Sequence, residues 1–292
     1  SVSAYCNAGF DILGFLKPDA SLELFVGDPL VCLTICCLII LGGIGFIVTV
    51  DLYNWGRKRV RKEERRPHLT LHTRIVLVST ASLLVLGTVL TLGLEYDHTL
   101  KDLNFWEKLN ASFFQSVTAR TAGYATIPQG ELGDATKLVT IILMFIGASP
   151  SSTGGGIKTT TFVVLVATVV SISRGRDETV INKRRVDKSV VYRAMTIVAM
   201  AFLVIAITSG VIMVTTPPEV SAIDAVYEAV SAFGTVGLTT GLTPDLSIVA
   251  KILVMLTMFI GRVGPISLVL ALTMKHSGGP GKILPEGKVI VG

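Results

Sequence analysis

Arg120-Thr121-Ala122-Gly123-Tyr124 is the middle member of an evenly spaced set of segments. Cys6-Asn7-Ala8-Gly9-Phe10 lies upstream and Gly234-Thr235-Val236-Gly237-Leu238 downstream, and the steps from Gly9 to Gly123 and from Gly123 to Gly237 are both 114 residues. Equal spacing of a similar motif says that one structural unit is used repeatedly. A glycine beside small or hydroxyl residues, set between apolar spans, is what an ion filter built from backbone carbonyls requires. The set reads as part of a cation pore.

The flanks repeat as well. Val2-Ser3-Ala4-Tyr5 aligns without gaps to Val230-Ser231-Ala232-Phe233, while Val117-Thr118-Ala119 fits with one residue fewer before its glycine. Met144-Phe145-Ile146-Gly147 recurs as Met258-Phe259-Ile260-Gly261, again 114 residues on. The nearest equivalent in the first copy, Ile40-Leu41-Gly42-Gly43, lies about nine residues further from its glycine.

Composition fits a membrane protein. Half of the 292 residues are hydrophobic and 16% are charged, and mean hydropathy is +0.66, too apolar for a soluble chain of this length. The net charge of +5 does not point to nucleic acid, because the basic residues sit mainly in two short blocks between apolar runs. Orientation in a bilayer explains that pattern. Cys32, Cys36 and Cys37 lie in an apolar run and read as buried small hydrophobes; with Cys6 they form neither a zinc pattern nor a disulfide framework.

Five spans are expected, at 29–52, 73–95, 136–173, 190–215 and 247–274. The loop after the first carries Arg57, Lys58, Arg59, Arg61, Lys62, Arg65 and Arg66. The loop after the third carries Arg174, Arg176, Lys183, Arg184, Arg185 and Lys188. Short basic loops stay cytoplasmic, which puts the glycine segments outside and the C-terminus, with Lys275, His276, Lys282 and Lys288, inside. Trp55 and Trp106 fall at interfacial positions. Asn104-Phe105-Trp106-Glu107 and Ser221-Ala222-Ile223-Asp224 read as helix starts, followed by stretches too short to cross. A half-helix entering from outside turns its negative dipole end toward a cation. Each unit is therefore span, half-helix, filter, span.

These motifs, with the run Ser152-Thr153-Gly154-Gly155-Gly156-Ile157-Lys158-Thr159-Thr160-Thr161 and with Gly261-Arg262-Val263-Gly264, resemble the Trk/Ktr/HKT superfamily of potassium transporters, most closely the Ktr-type bacterial membrane subunit. The resemblance covers essentially the whole chain. It implies an all-α membrane protein in which span–half-helix–filter–span units surround one pore, with three filter segments visible of an expected four. The chain divides as 1–66, the remainder of a second unit; 67–188, a third unit with a broken second span; and 189–292, a fourth unit and a cytoplasmic tail. On that reading it is a fragment of a longer protein that begins inside the second unit's half-helix.

The resemblance also implies the site. Carbonyls around Asn7, Ala8 and Gly9, Thr121, Ala122 and Gly123, and Thr235, Val236 and Gly237 would replace a potassium ion's hydration shell; the plain alternative is small residues for tight helix packing. The third span is far longer than the ~20 residues of a straight crossing. Its middle, Ala148-Ser149-Pro150-Ser151-Ser152-Thr153-Gly154-Gly155-Gly156, cannot continue a helix. Broken backbone at membrane depth lines a cavity or is buried, and in the family this segment is a gating loop below the filter. The alternative is a polar turn between two spans; a phosphate loop is excluded because Gly156-Ile157-Lys158-Thr159 lacks the Gly-Lys adjacency. Arg262 is expected either as a positive barrier at the gate or as a tie between helices. Lys158 either belongs to the gate, or snorkels or bonds loop carbonyls. Arg120 is expected to pair with Glu131 or Asp134.

The leading function is potassium uptake through a gated pore. The alternatives are a sodium or mixed monovalent cation transporter of the same fold, and a non-conducting scaffold or sensor. Glycine in every visible filter implies potassium; in plant relatives a serine in the first unit's filter accompanies sodium transport, and that unit is not visible here. An enzyme has no support: His68, His72, His98 and His276 are dispersed, with no carboxylate pair or nucleophile constellation within a span. No cofactor pattern is read; potassium is the transported ion and sodium a coupling or activating ion. The resemblance implies a homodimer of the full-length subunit in the cell membrane of a bacterium. It would contact lipid and a cytoplasmic ring of nucleotide-binding subunits through the basic loops and the tail at 278–292.

Overall fold

The structure, a computed structural model, describes residues 1–13, 21–61, 68–176, 178–182, 184–217 and 220–264. The helices are α1 (Val2–Tyr5), α2 (Pro29–Gly43), α3 (Phe46–Val60), α4 (Leu71–Glu95), α5 (Phe105–Thr118), α6 (Asp134–Phe145), α7 (Thr159–Ser173), α8 (Lys188–Thr215), α9 (Ala222–Gly234) and α10 (Ile248–Val263). A two-residue antiparallel ladder, β1 (Val180–Ile181) with β2 (Arg184–Arg185), is the one sheet among the described residues. The chain is an all-α membrane protein.

Helix starts follow local chemistry. Asp28 Oδ1 accepts from Leu30 N (2.9 Å) and Val31 N (3.2 Å) ahead of Pro29 in α2. Thr70 Oγ1 accepts from Thr73 N at 3.2 Å and Ser247 Oγ from Ala250 N at 3.2 Å. In α5 the expected Asn-x-x-Glu start is present, with Asn104 N donating to Glu107 Oε2 at 2.9 Å.

α4 and α8, of 25 and 28 residues, are each long and apolar enough to cross a membrane; at 1.5 Å per residue they reach roughly 37 and 42 Å, against a hydrocarbon core of about 30 Å. Their outer faces carry apolar residues such as Val78, Val85, Val89, Phe202 and Leu203. Their inner faces are lined by small and hydroxyl groups. On α4, Thr73, Thr80, Gly87 and Thr91 are buried, and a Cβ on Gly87 would lie 2.3 Å from Ser116 Oγ, which itself bonds Leu84 O at 2.9 Å. Between α8 and α10, the Thr208 and Thr257 hydroxyls meet at 2.7 Å. Small residues permit such close approach where no water is present to drive apolar burial.

The half-helices α5 and α9 lie within this frame: α5 packs on α4 and α2, and α9 on α6, α8 and α10. Every residue of α9 from Tyr227 to the helix end is buried.

Two expectations need correction. The span drawn at 29–52 is not one helix: α2 and α3 meet at a 98° bend. Gly45 makes the bend, at φ +90°, where a Cβ would lie 2.4 Å from Pro150 O. Of the three cysteines placed in the interior, Cys32 and Cys36 are buried but Cys37 is exposed on the outer face of α2. The fifth span ends as a described helix at Val263; its continuation to 274, the tail at 278–292 and basic residues Lys62, Arg65, Arg66, Lys183, Lys275, His276, Lys282 and Lys288 lie outside the described residues. The break in the third span falls between α6 and α7, at 146–158, as its composition indicated.

Candidate functional site

α1, α5 and α9 each run into a glycine segment through a backbone closure at the helix C-terminus. Ala8 N bonds Ser3 O at 2.9 Å and Val236 N bonds Ser231 O at 2.9 Å, the six-to-one closure of a helix C-terminus. In the middle copy Ala122 N bonds Thr118 O at 3.0 Å, the shorter five-to-one closure. That difference accounts for the one residue fewer in this copy.

Beyond the turn the three segments share an alternation of backbone angles. Asn7 and Gly9 have φ of 50° and 71°, Thr121 and Gly123 of 70° and 85°, Thr235 and Gly237 of 51° and 92°. A β-branched residue at positive φ is a genuine outlier, and strain of this kind persists where the surroundings over-determine it. The segments lie side by side. A Cβ on Gly9 would stand 2.6 Å from Ala122 O, and one on Gly123 would stand 2.3 Å from Val236 O. Only glycine admits a neighbouring carbonyl so near. The outer ends are braced by Thr118 Oγ1 donating to Tyr124 O (2.6 Å) and Tyr124 OH to Phe10 O (3.2 Å).

The loop at 146–158 lies against these segments. Thr153 Oγ1 donates to Asn7 Oδ1 at 2.9 Å. A Cβ on Gly154 would lie 2.1 Å from Thr121 Oγ1, and one on Gly155 2.3 Å from Thr235 Oγ1. Three consecutive loop residues thus meet the three equivalent positions in turn. The Thr121 and Thr235 hydroxyls are buried without a hydrogen-bond partner among the described residues.

The loop is held from several sides. Ile146 and Ile157 form a parallel bridge, Ser149 Oγ meets Thr159 Oγ1 at 3.1 Å, and Lys158 Nζ donates to Gly154 O at 2.7 Å. Arg262 Nη1, from α10, donates to Thr153 O. Ser149 N and Thr153 N bond Gly43 O (3.0 Å) and Gly42 O (3.4 Å), and Phe46 N bonds Ser151 O at 2.9 Å. The carbonyls freed at the end of α2 and the amide at the start of α3 thus find partners in the loop. Gly42 also takes the place that Gly261 takes elsewhere: a Cβ on Gly42 would meet Tyr5 O at 2.0 Å, and one on Gly261 would meet Phe233 O at 1.8 Å.

Known proteins resemble this chain in sequence and in fold. The family model described as cation transport protein, TrkH, matches residues 1–279. The chain belongs to the TrkH family. It is 38% identical over 294 residues to the Ktr system potassium uptake protein B of Bacillus subtilis, covering 100% of this chain and 62% of that protein. It is also 38% identical over 298 residues to the potassium/sodium uptake protein NtpJ of Enterococcus hirae, covering 100% of this chain and 63% of that one. The TrkH-family chain thus spans a little over three fifths of the length of these relatives. The crystal structure of the potassium transporter TrkH from Vibrio parahaemolyticus superposes with a TM-score of 0.72 over 94% of this chain and 57% of that one, at 17% identity, a likeness of fold. The family is one of cation transporters and not of enzymes.

One expectation fails within this TrkH-family site. Arg120 pairs with neither Glu131 nor Asp134: it is buried, with no partner at Nε, beside Ile39, Ile40, Gly43, Leu84 and Ala148. It follows the C-cap of α5 and lies inward, beside Gly43 at the carbonyl end of α2, while both carboxylates are exposed. The carboxylate that does engage the loop before α6 is Glu95, accepting from Gly133 N at 3.0 Å.

A repeated strut was missed. Gln115 Nε2 donates to Gln129 Oε1 at 2.7 Å and Gln129 Nε2 to Gln115 Oε1 at 3.0 Å. In the next copy Glu228 accepts from Thr243 Oγ1. Gln129 and Thr243 are 114 residues apart, so the period that exposed the glycines could have exposed this pair. Tyr227 OH donates to Gln129 Oε1 at 2.9 Å, tying α9 to the middle copy, and Lys137 Nζ pairs with Asp224 at 2.8 Å between α6 and α9.

Proposed function

We propose that this chain forms three of the pore units, 1–66, 67–188 and 189–292, of a potassium-uptake transporter in the cell membrane of a bacterium. The carbonyls of Asn7-Ala8-Gly9, Thr121-Ala122-Gly123 and Thr235-Val236-Gly237 take the place of the ion's hydration shell. The carrying observation is the shared positive-φ alternation of three adjacent segments, each reached from the C-terminal end of a half-helix. That end carries partial negative charge and favours a cation.

The loop residues Ser152, Thr153, Gly154, Gly155 and Gly156 form the gate. Lys158 and Arg262 are its fastenings, each holding a loop carbonyl. The tie expected of Arg262 and its place at the gate become one role, since what it ties is the loop. Its positive charge adds a barrier on a dehydrated path.

Sodium is a second reading, as a transported or coupling ion, favoured by the potassium/sodium name of one relative. We further propose a homodimer of the full-length subunit, regulated by a cytoplasmic nucleotide-binding ring that meets the loops at 57–66 and 174–185.

The test is rubidium flux into vesicles holding the full-length protein, with residues 152–156 deleted or intact. The reading expects flux in both and more in the deletion. Absence of flux from the intact protein contradicts transport, and equal flux from a folded deletion contradicts the gate.

A further inference from the structure

A slot of about 450 Å³ runs between α4 and α7, away from the glycine segments. Its inner part is apolar, lined by Leu83, Phe162, Val163 and Val166, and its far end reaches Arg174 and Arg176. The β1–β2 hairpin closes that end through Val180 and Ile181. Phe162, Val166 and Val170 are exposed on the lipid-facing side of α7.

The arginine end is built. Gly175, at φ +70°, ends α7 with its N–H on Ile172 O (2.9 Å), and Arg176 N bonds Ser171 O at 3.0 Å. This paired closure satisfies the last carbonyls and fixes the chain where both arginines leave the helix. Among the described residues neither guanidinium has an ion-pair partner; the nearby Glu178 is engaged by Arg185 at 2.9 Å. The residual dipole at a helix C-terminus disfavours an anion, so the attraction must come from the two arginines.

We propose that this slot binds an anionic phospholipid, with one acyl chain along α4 and α7 and the phosphodiester on Arg174 and Arg176. The dimensions agree: from Phe162 to Arg174 the helix rises roughly 18 Å, close to one leaflet's hydrocarbon depth of about 15 Å. A free phosphate would leave the apolar wall empty. A soluble peptide could not reach that depth. Basic pockets between membrane helices at the cytoplasmic face suit anionic headgroups, and the basic loop that follows α7 assigns the arginines to that face.

The test uses the full-length protein in detergent, titrated with phosphatidylglycerol or phosphatidylcholine and read by native mass spectrometry. A photoactivatable phosphatidylglycerol is also crosslinked to the unaltered protein. Each arginine near an anionic surface contributes enough to change retention roughly five-fold. Arg174→Gln with Arg176→Gln is therefore expected to lower phosphatidylglycerol retention about 25-fold, to the phosphatidylcholine level. Val166→Trp, which fills the slot and leaves the charges, is expected to abolish retention of both lipids there, and crosslinks are expected within 162–176. The proposal is overturned by undiminished retention in the arginine variant, or by loss there with none in Val166→Trp, which would mean diffuse surface attraction. It is equally overturned by crosslinks elsewhere, by displacement with free glycerol phosphate, or by a change of oligomeric state in Val166→Trp, which would mean that a second copy fills the slot.

Discussion

Thr153 Oγ1 lies 2.9 Å from Asn7 Oδ1 and donates to it, joining the centre of the loop between α6 and α7 to the first glycine segment. Gly154 and Gly155 continue the contact onto Thr121 and Thr235. The loop is therefore seated on the residues that lead into all three glycine segments, and moving it uncovers two buried hydroxyls that have no hydrogen-bond partner among the described residues. In the proposed transporter, gate and filter are one contact surface.

Arg262→Ala is expected to raise rubidium flux in vesicles. A hydrogen bond from a charged donor contributes about 1.5–3 kcal/mol, so its loss favours the released loop by roughly ten- to a hundred-fold. Expression and flux are measured on one preparation. Poor expression with proportionally low flux would mean that Arg262 only holds helices together.

Gly45→Ala is expected to lower the melting temperature and disturb the loop, because this positive-φ extended backbone, φ +90° and ψ 147°, costs a residue with a Cβ about 1–3 kcal/mol and the added carbon meets Pro150 O. Gly56→Ala, where no atom lies within 4 Å, is the control and is expected to be neutral or slightly stabilising. Thermal unfolding of the two variants checks this; equal melting temperatures would mean that the 98° bend is not needed for the loop's seat.

Gln115→Leu leaves the buried Gln129 amide without its partner and is expected to destabilise by about 1–3 kcal/mol. Combining it with Gln129→Leu is expected to cost less than the sum of the two, since the pair share two hydrogen bonds. Thermal melts of the two single variants and the double variant give the coupling; strict additivity would contradict a strut.

Much of this was legible because it is periodic. Spacing located the glycine segments and cap-like starts the short helices before two of them, whereas Gly42, which packs on a carbonyl equivalent to the one Gly261 meets, lies about nine residues off the period. The break in the third span was legible because Pro and Gly cluster there. The bend at Gly45 was not, since Gly42-Gly43-Ile44-Gly45 continues an apolar run and the atom that requires it, Pro150 O, is remote in sequence. Arg120 misled because nearby carboxylates invite pairing, whereas helix direction at the end of α5 sets where it points. Nothing local marks Thr121 or Thr235 for positive φ, as threonine disfavours it; packing of neighbouring segments imposes it.

The central claim is that these carbonyls select the ion, and Gly123→Ser in the full-length protein tests it most directly. The serine Cβ would stand 2.3 Å from Val236 O on a backbone at φ +85°, so the carbonyl must move from its place around the ion. The measurement is rubidium uptake into vesicles with sodium as competitor, beside the parent protein. The account predicts weaker discrimination against sodium with folded protein still present; uptake affinity and selectivity equal to the parent would contradict it.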